Sequence, residues 1–172
     1  MKLLIDLLCT LVAIIMLYSV ADAAKDTAEA AATIEDAVNI EKDNNNKISN
    51  TAGDLLFGTI VPDATGGTVL INPSDYKRYS SLVAVGQDHG PAAFHVKAAK
   101  NKHHSINLQS GSVTVKYKNN TMIVDNLTSN IASGTTDDNG DSNFTIGGTL
   151  HVNPNQESGS YTGTFSVSTD YE

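Results

Sequence analysis

The sequence predicts an all-β protein, an antiparallel β-sandwich, on three observations. From Asp54 onward short runs of β-forming residues recur at close spacing, Gly, Asn, Asp, Ser and Pro separate them, and no stretch carries an apolar period of helix length. The clearest runs alternate apolar with polar residues, as strands do when one face lies in a core and the other in water.

The elements follow in chain order. Met1 and Lys2 lead into an apolar run from Leu7 to Tyr18 that breaks at Ser19-Val20-Ala21-Asp22-Ala23-Ala24. A membrane-spanning helix needs about 20 apolar residues, so this run is short for a span and has the anatomy of a signal peptide, with small Ala21 and Ala23 placing the cut after Ala23. A retained anchor is the alternative. The expected organisation is a signal peptide over 1–23, a polar arm over 24–53 and a β-sandwich over 54–172, exported to the periplasm, the outer surface or the medium and meeting a membrane only during export.

In the arm, Ala28, Ala30, Ala32, Ile34, Asp36, Val38 and Ile40 mark a period of two, which suits a first strand or a strand donated to another copy. Ala30, Ile34, Val38 and Glu41 also fall near one helical face, so a helix stays open. Lys42 to Gly53 has no period and reads as a linker. The strand runs are Leu55 to Val61, Thr68 to Ile71, Ser81 to Val85, Ala92 to Ala98, Ser105 to Leu108, Val113 to Tyr117 and Met122 to Leu127. Asn143 to Val152 then sets Phe144, Ile146, Leu150 and Val152 on one face, and Tyr161 to Tyr171 does the same with Phe165, Val167, Thr169 and Tyr171. Gly147-Gly148 falls inside a strand pattern, which marks a bend or a close approach of backbone.

Composition narrows the chemistry. The only cysteine, Cys9, lies in the leader, so the mature chain has no thiol for a disulfide, a zinc site or a nucleophile. A net charge of −8 opposes binding to nucleic acid or anionic membranes. No Gly-x-Ser-x-Gly elbow, Ser-x-x-Lys pair or phosphate-cradling glycine loop is present.

Of the histidines, His95 and His151 alternate outward from their strands, and His103 and His104 adjoin a basic turn from Lys97 to Lys102. His95, His103 and His104 are the residues a metal would use if they converged with His89 near carboxylates. Thr136 to Asp141 offers oxygen ligands without the spacing of a calcium loop and reads as a turn. Lys77-Arg78, flanked by Tyr76 and Tyr79, reads with the hairpin from Lys97 to His104 first as solvated loop tips and second as a basic patch for an anionic surface glycan. Asn119, Asn126 and Asn143 each begin an Asn-x-Ser/Thr triplet, read as chance matches in an Asn/Thr-rich chain.

Two blocks resemble a known family. Asp54-Leu55-Leu56-Phe57-Gly58-Thr59-Ile60-Val61 and Ile146-Gly147-Gly148-Thr149-Leu150-His151-Val152-Asn153-Pro154-Asn155-Gln156, the latter continuing through Tyr161-Thr162-Gly163-Thr164-Phe165, are similar to the ends of the secreted bacterial family known as domain of unknown function 4402. Pro91 to Val96 and Thr121 to Asn126 fit between them in the family's order. The resemblance implies a secreted immunoglobulin-like sandwich and brings no activity with it.

The C-terminus is also similar to chaperone-usher pilus subunits. Tyr171 is the penultimate aromatic, Gly159 is the fourteenth residue counted back from Glu172, and Phe165 and Val167 alternate between them. That likeness implies assembly through strand pairing, with Ile34, Val38 and Ile40 supplied by the arm and other copies or a periplasmic chaperone as partners; it lacks the disulfide of many such subunits.

The functional expectation is a non-enzymatic envelope or surface protein without a cofactor, either pilin-like or an adhesion-type sandwich. The alternative is a metal-binding periplasmic protein or a hydrolase that uses surface histidines.

Overall fold

The computed structural model describes residues 37–43 and 53–172. The expectations for the leader, for Ile34 and for the linker fall outside them. The described residues, all within the unit Glu35–Glu172, run through β1 (Asn39–Lys42), β2 (Thr59–Val61), β3 (Gly67–Ile71), β4 (Arg78–Ser80), β5 (Val83–Val85) and β6 (Ala92–Lys97). They continue through β7 (His103–Leu108), β8 (Ser112–Tyr117), β9 (Asn120–Ser129), β10 (Ser133–Thr135), β11 (Asp141–Val152) and β12 (Val167–Tyr171). The pairings are antiparallel throughout, and no helix interrupts them.

β11 is the spine of a seven-stranded sheet. Along one edge it pairs first with β6, over Asp141–Ile146, and then with β3, over Gly148–Val152. β9 takes the other edge, because Ile146 faces both Ala92 and Ser129 while Leu150 faces both Val69 and Val124. β1, β4 and β8 extend the sheet beyond β6, β3 and β9. A three-stranded sheet, β10-β7-β12, and a two-stranded ribbon, β2-β5, make up the rest.

The alternation of β11 does what the sequence predicts: Phe144, Ile146, Leu150 and Val152 are all buried, with Val69, Val96 and Val124 beside them. Ile106 and Leu108 of β7 and Val167 of β12 pack on this cluster, which makes the fold a sandwich around one core. Phe94 stands opposite Phe144 in register, and their rings stack with centroids 5.3 Å apart. Phe165 meets Phe94 edge-on at 6.3 Å. Aromatic contacts of this kind add about 0.5–1.5 kcal/mol each beyond burial, so this trio fastens the C-terminal segment to the large sheet.

The end of the arm is a strand of the same sheet. Asn39, Ile40, Glu41 and Lys42 pair with Lys97, Val96, His95 and Phe94, and Val38 and Ile40 pack against the core. The Asp43 amide donates to the Ala93 carbonyl at 2.9 Å. Of the two forms left open for the arm, the described part adopts the strand.

Three stretches depart from the expected runs. Of Ser81 to Val85 only Val83–Val85 becomes a strand, β5, while β4 ends before the run at Ser80 and belongs to a different sheet: Leu82 is drawn into the core, and the chain turns where the Leu82 amide donates to Ser80 Oγ at 3.1 Å. Leu55 to Val61 keeps only β2 and a single bridge from Leu56 to Gly90. Tyr161 to Tyr171 becomes a strand only at Val167, because Thr162 bridges to Lys116 of β8. Tyr171, expected on the core face, is 37% exposed, and its hydroxyl accepts the Ala99 amide at 2.9 Å.

Gly147-Gly148 marks the place where three strands crowd β11. The register with β9 slips between Gly147 and Thr149, a bulge. A Cβ on Gly147 would overlap the Ile71 carbonyl oxygen and reach the Pro73 ring, and one on Gly148 would press on Leu127 and Val124. Gly147→Ala should therefore cost about 1–3 kcal/mol of unfolding free energy by urea titration. Gly111→Ala, where a Cβ meets nothing within 4 Å, should stay within about 0.5 kcal/mol; equal effects would remove the close-approach argument.

Candidate functional site

The histidines are kept apart by the sheets. His95 and His151 face outward, as their strands' alternation requires. His95 Nδ1 donates to Asn143 Oδ1 at 3.0 Å, and its Nε2 lies 3.2 Å from Asp141 Oδ1. His151 Nε2 donates to Asp125 Oδ1 at 2.8 Å. His103 is exposed with Nδ1 3.0 Å from Thr135 Oγ1, while its neighbour His104 turns to the opposite face and is fully buried with neither ring nitrogen paired. The three metal candidates thus sit in three environments. Among the described residues no three His, Cys, Asp or Glu side chains gather around a point that could hold a metal ion.

The charged loops are engaged with their own backbone. Asp137 Oδ1 accepts the amides of Asn139 and Asp141 at 2.8 and 2.9 Å, and these bonds hold its carboxyl below the usual carboxylate range. Lys97 Nζ reaches into the same turn, donating to the Asn139 carbonyl at 2.6 Å and to Asp141 at 2.8 Å. Arg78 does not form a patch with Lys77. Its guanidinium donates to the carbonyls of Phe57 and Gly86, both at 3.1 Å, and so staples β4 to the ribbon.

The residues expected to serve assembly divide by place. Val38, Ile40, Phe165 and Val167 pack on the chain's own core. Gly159 precedes β12, close enough to the Tyr117 ring that a Cβ would overlap it. β10 pairs with β7 only over His103, His104 and Ser105. Beside the remainder of that edge lies an apolar groove of about 370 Å³, lined by Ile106, Leu108, Leu127 and Ile131 among others.

A smaller concavity of about 180 Å³ opens on the side of the large sheet where β6 and β11 pair, and its wall is mostly apolar. Tyr76, Ala93, Phe94 and Phe144 line it together with Asp43, Asn130, Asn143 and Thr145. The loop that carries Tyr76 is fixed at several points: the Tyr76 amide donates to the Asn72 carbonyl at 3.0 Å, the Ser74 amide to Asn72 Oδ1 at 2.8 Å, and Thr145 Oγ1 to the Pro73 carbonyl at 2.7 Å. Tyr76 itself adopts φ 61°, a left-handed conformation uncommon for a side chain of its size. Asn130 Oδ1 accepts the Thr145 amide at 2.8 Å, and Asn143 Oδ1 is held by His95. Both amide groups are oriented through their oxygens, which leaves their Nδ2 donors to solvent or ligand.

Sequence reasoning singled out Tyr76 for its basic neighbours and Asn143 for its triplet, and missed Asp43 and Asn130. Nothing local distinguishes those two, since their roles come from three distant segments meeting across β6 and β11.

A family model described as Domain of unknown function (DUF4402) matches residues 47–171. No curated protein and no solved structure matches the chain, and these comparisons lend no support to the likeness to chaperone-usher subunits.

His104 provides a test of the core through pH. Burial pushes its pKa below the ordinary histidine value; Glu172 pulls it up, and His103 adds to the lowering. His89 moves the same way, through burial first and then the Arg78 cation, with Asp88 opposing. A base depressed in the folded state binds protons mainly when unfolded, so stability is whole above the ordinary value of 6.5 and is lost as pH falls below it. Urea midpoints should drop between about pH 7.5 and pH 5, each histidine contributing no more than about 1.4 kcal/mol per pH unit. His104→Leu should flatten that fall to the share of His89 and the carboxylates; an unchanged profile would contradict the assignment.

Proposed function

The chain belongs to the family described as domain of unknown function (DUF4402), and from that premise we propose that it is a non-enzymatic protein of the bacterial envelope or surface: an adhesion-type β-sandwich, complete in itself, that binds rather than catalyses. The observation that supports this reading is β1. The end of the arm fills a place in its own sheet beside β6 and puts Val38 and Ile40 on its own core. A subunit that gave this strand away would leave the β6 edge open and uncover Val96, which is fully buried. Export is supported by the leader-like segment from Leu7 to Ala23, and a binding role by the spread of the histidines and the absence of a nucleophile motif from the sequence.

The pilin-like alternative makes a different prediction from the same arm. If the sandwich is complete in itself, analytical ultracentrifugation of the chain lacking 1–23 should show a monomer at every concentration. Deleting 24–42 should then lower the thermal midpoint by several degrees through loss of β1 without changing any assembly. Concentration-dependent polymers that vanish on deletion and return with an added peptide of residues 24–42 would overturn the reading in favour of strand exchange.

A further inference from the structure

We propose that the C-terminal strand β12 is an acid-released strap: protonation of His104 frees it from β7 while the β11 spine stays folded. This goes beyond the binding reading above and holds for a monomer. Two buried polar side chains carry it. His104 on β7 is fully buried with neither ring nitrogen paired, and Thr169 on β12 is 8% exposed with its hydroxyl unpaired. Thr169 stands opposite Ile106, and Tyr171 opposite His104, so alternation sets both side chains on the inner face of the β7–β12 pair. Polar groups buried without partners weaken the seam that holds them, because folding strips them of water and returns no bond.

The surroundings give an imidazolium no acceptor. β10 sets Gly134 against the ring, where a Cβ would lie 2.8 Å from Nε2, and β11 brings Ser142 to the same point; neither residue titrates. Asp141, next to Ser142, is held by Lys97 at 2.8 Å. On β12, Asp170 turns outward and accepts Asn107 Nδ2 at 3.0 Å, while the Tyr171 hydroxyl accepts the Ala99 amide. Burial keeps the ring neutral; among the described residues Glu172 pulls the other way and His103 adds to the effect of burial.

β12 is the element that yields. It is the edge of its three-stranded sheet, bonded to β7 alone, whereas β11 is paired along both edges. Upstream, Phe165 is fixed to Phe94, which places the hinge between Phe165 and β12. Once β12 lifts, water supplies the two acceptors an imidazolium needs and solvates the Thr169 hydroxyl as well. The opened form therefore binds the proton more tightly, so opening gains as pH falls below the ordinary histidine value of 6.5 and gains nothing above it.

The test is amide hydrogen exchange of the full chain at pH 7 and pH 5, read residue by residue by NMR and corrected for intrinsic rates. At both pH values the amides that bond β12 to β7 should open at least about tenfold more often than those of β11. Their opening constant should rise by about fivefold to 25-fold from pH 7 to pH 5. His104→Leu should abolish that rise, and His103→Gln should keep it. Thr169→Val should lower the constant at both pH values and leave the rise in place. Should His104→Leu fail to fold, the wild-type imidazole signal replaces it: with β12 bonded, His104 should stay neutral down to about pH 5.

Exchange of the β12 amides at the same free energy as those of β11 would overturn the proposal. So would an acid rise that survives His104→Leu, or a His104 that titrates at 6.5 with β12 still bonded.

Discussion

Everything in the fold leans on the pairing of β11 with three strands at once. A strand has two edges, and β11 spends one on β6 and then β3 in succession and the other on β9. This joins segments from residue 67 to residue 152 through a single element. The junction between β6 and β3 comes at Gly147–Gly148, where carbonyls and side chains from both edges converge. Only residues without a Cβ fit there, which is the physical reason two adjacent glycines stand in the middle of a strand that otherwise alternates large apolar residues.

The site follows from the same junction. Since β3 ends against Gly147–Gly148, the loop after it must leave over β11, and Thr145 catches it through the Pro73 carbonyl. Tyr76 is thereby brought to the side of β6 and β11 on which Asn143 stands, and Asn130 arrives at the end of β9 by bonding to Thr145. One buried threonine thus anchors two of the segments that wall the concavity. β1 supplies Asp43 by continuing the sheet beyond β6.

Much of this was legible before the structure. The buried face of β11, the close approach at Gly147-Gly148, the outward turn of His95 and His151, and the all-β class each follow from period-two alternation and turn chemistry, which are local. What was not legible depends on partners far away in sequence. β10 is Ser-Gly-Thr, without an apolar residue to mark it. The break between β4 and β5 arises because Leu82 finds the core. Tyr171 has the alternation of a core residue, yet it reaches out to the Ala99 amide. Asp43 and Asn130 look like ordinary turn residues until the sheet places them beside Tyr76.

Amide hydrogen exchange, followed residue by residue, tests the spine most directly. If β11 holds the sandwich as one unit, the bonded amides of Phe144 to Leu150 and their partners on β3, β6 and β9 should exchange only through global unfolding, with one common free energy equal to that from urea titration. Exchange of the β6 half at a clearly lower free energy than the β3 and β9 half would show two separable units, and would contradict a fold organised around a single strand.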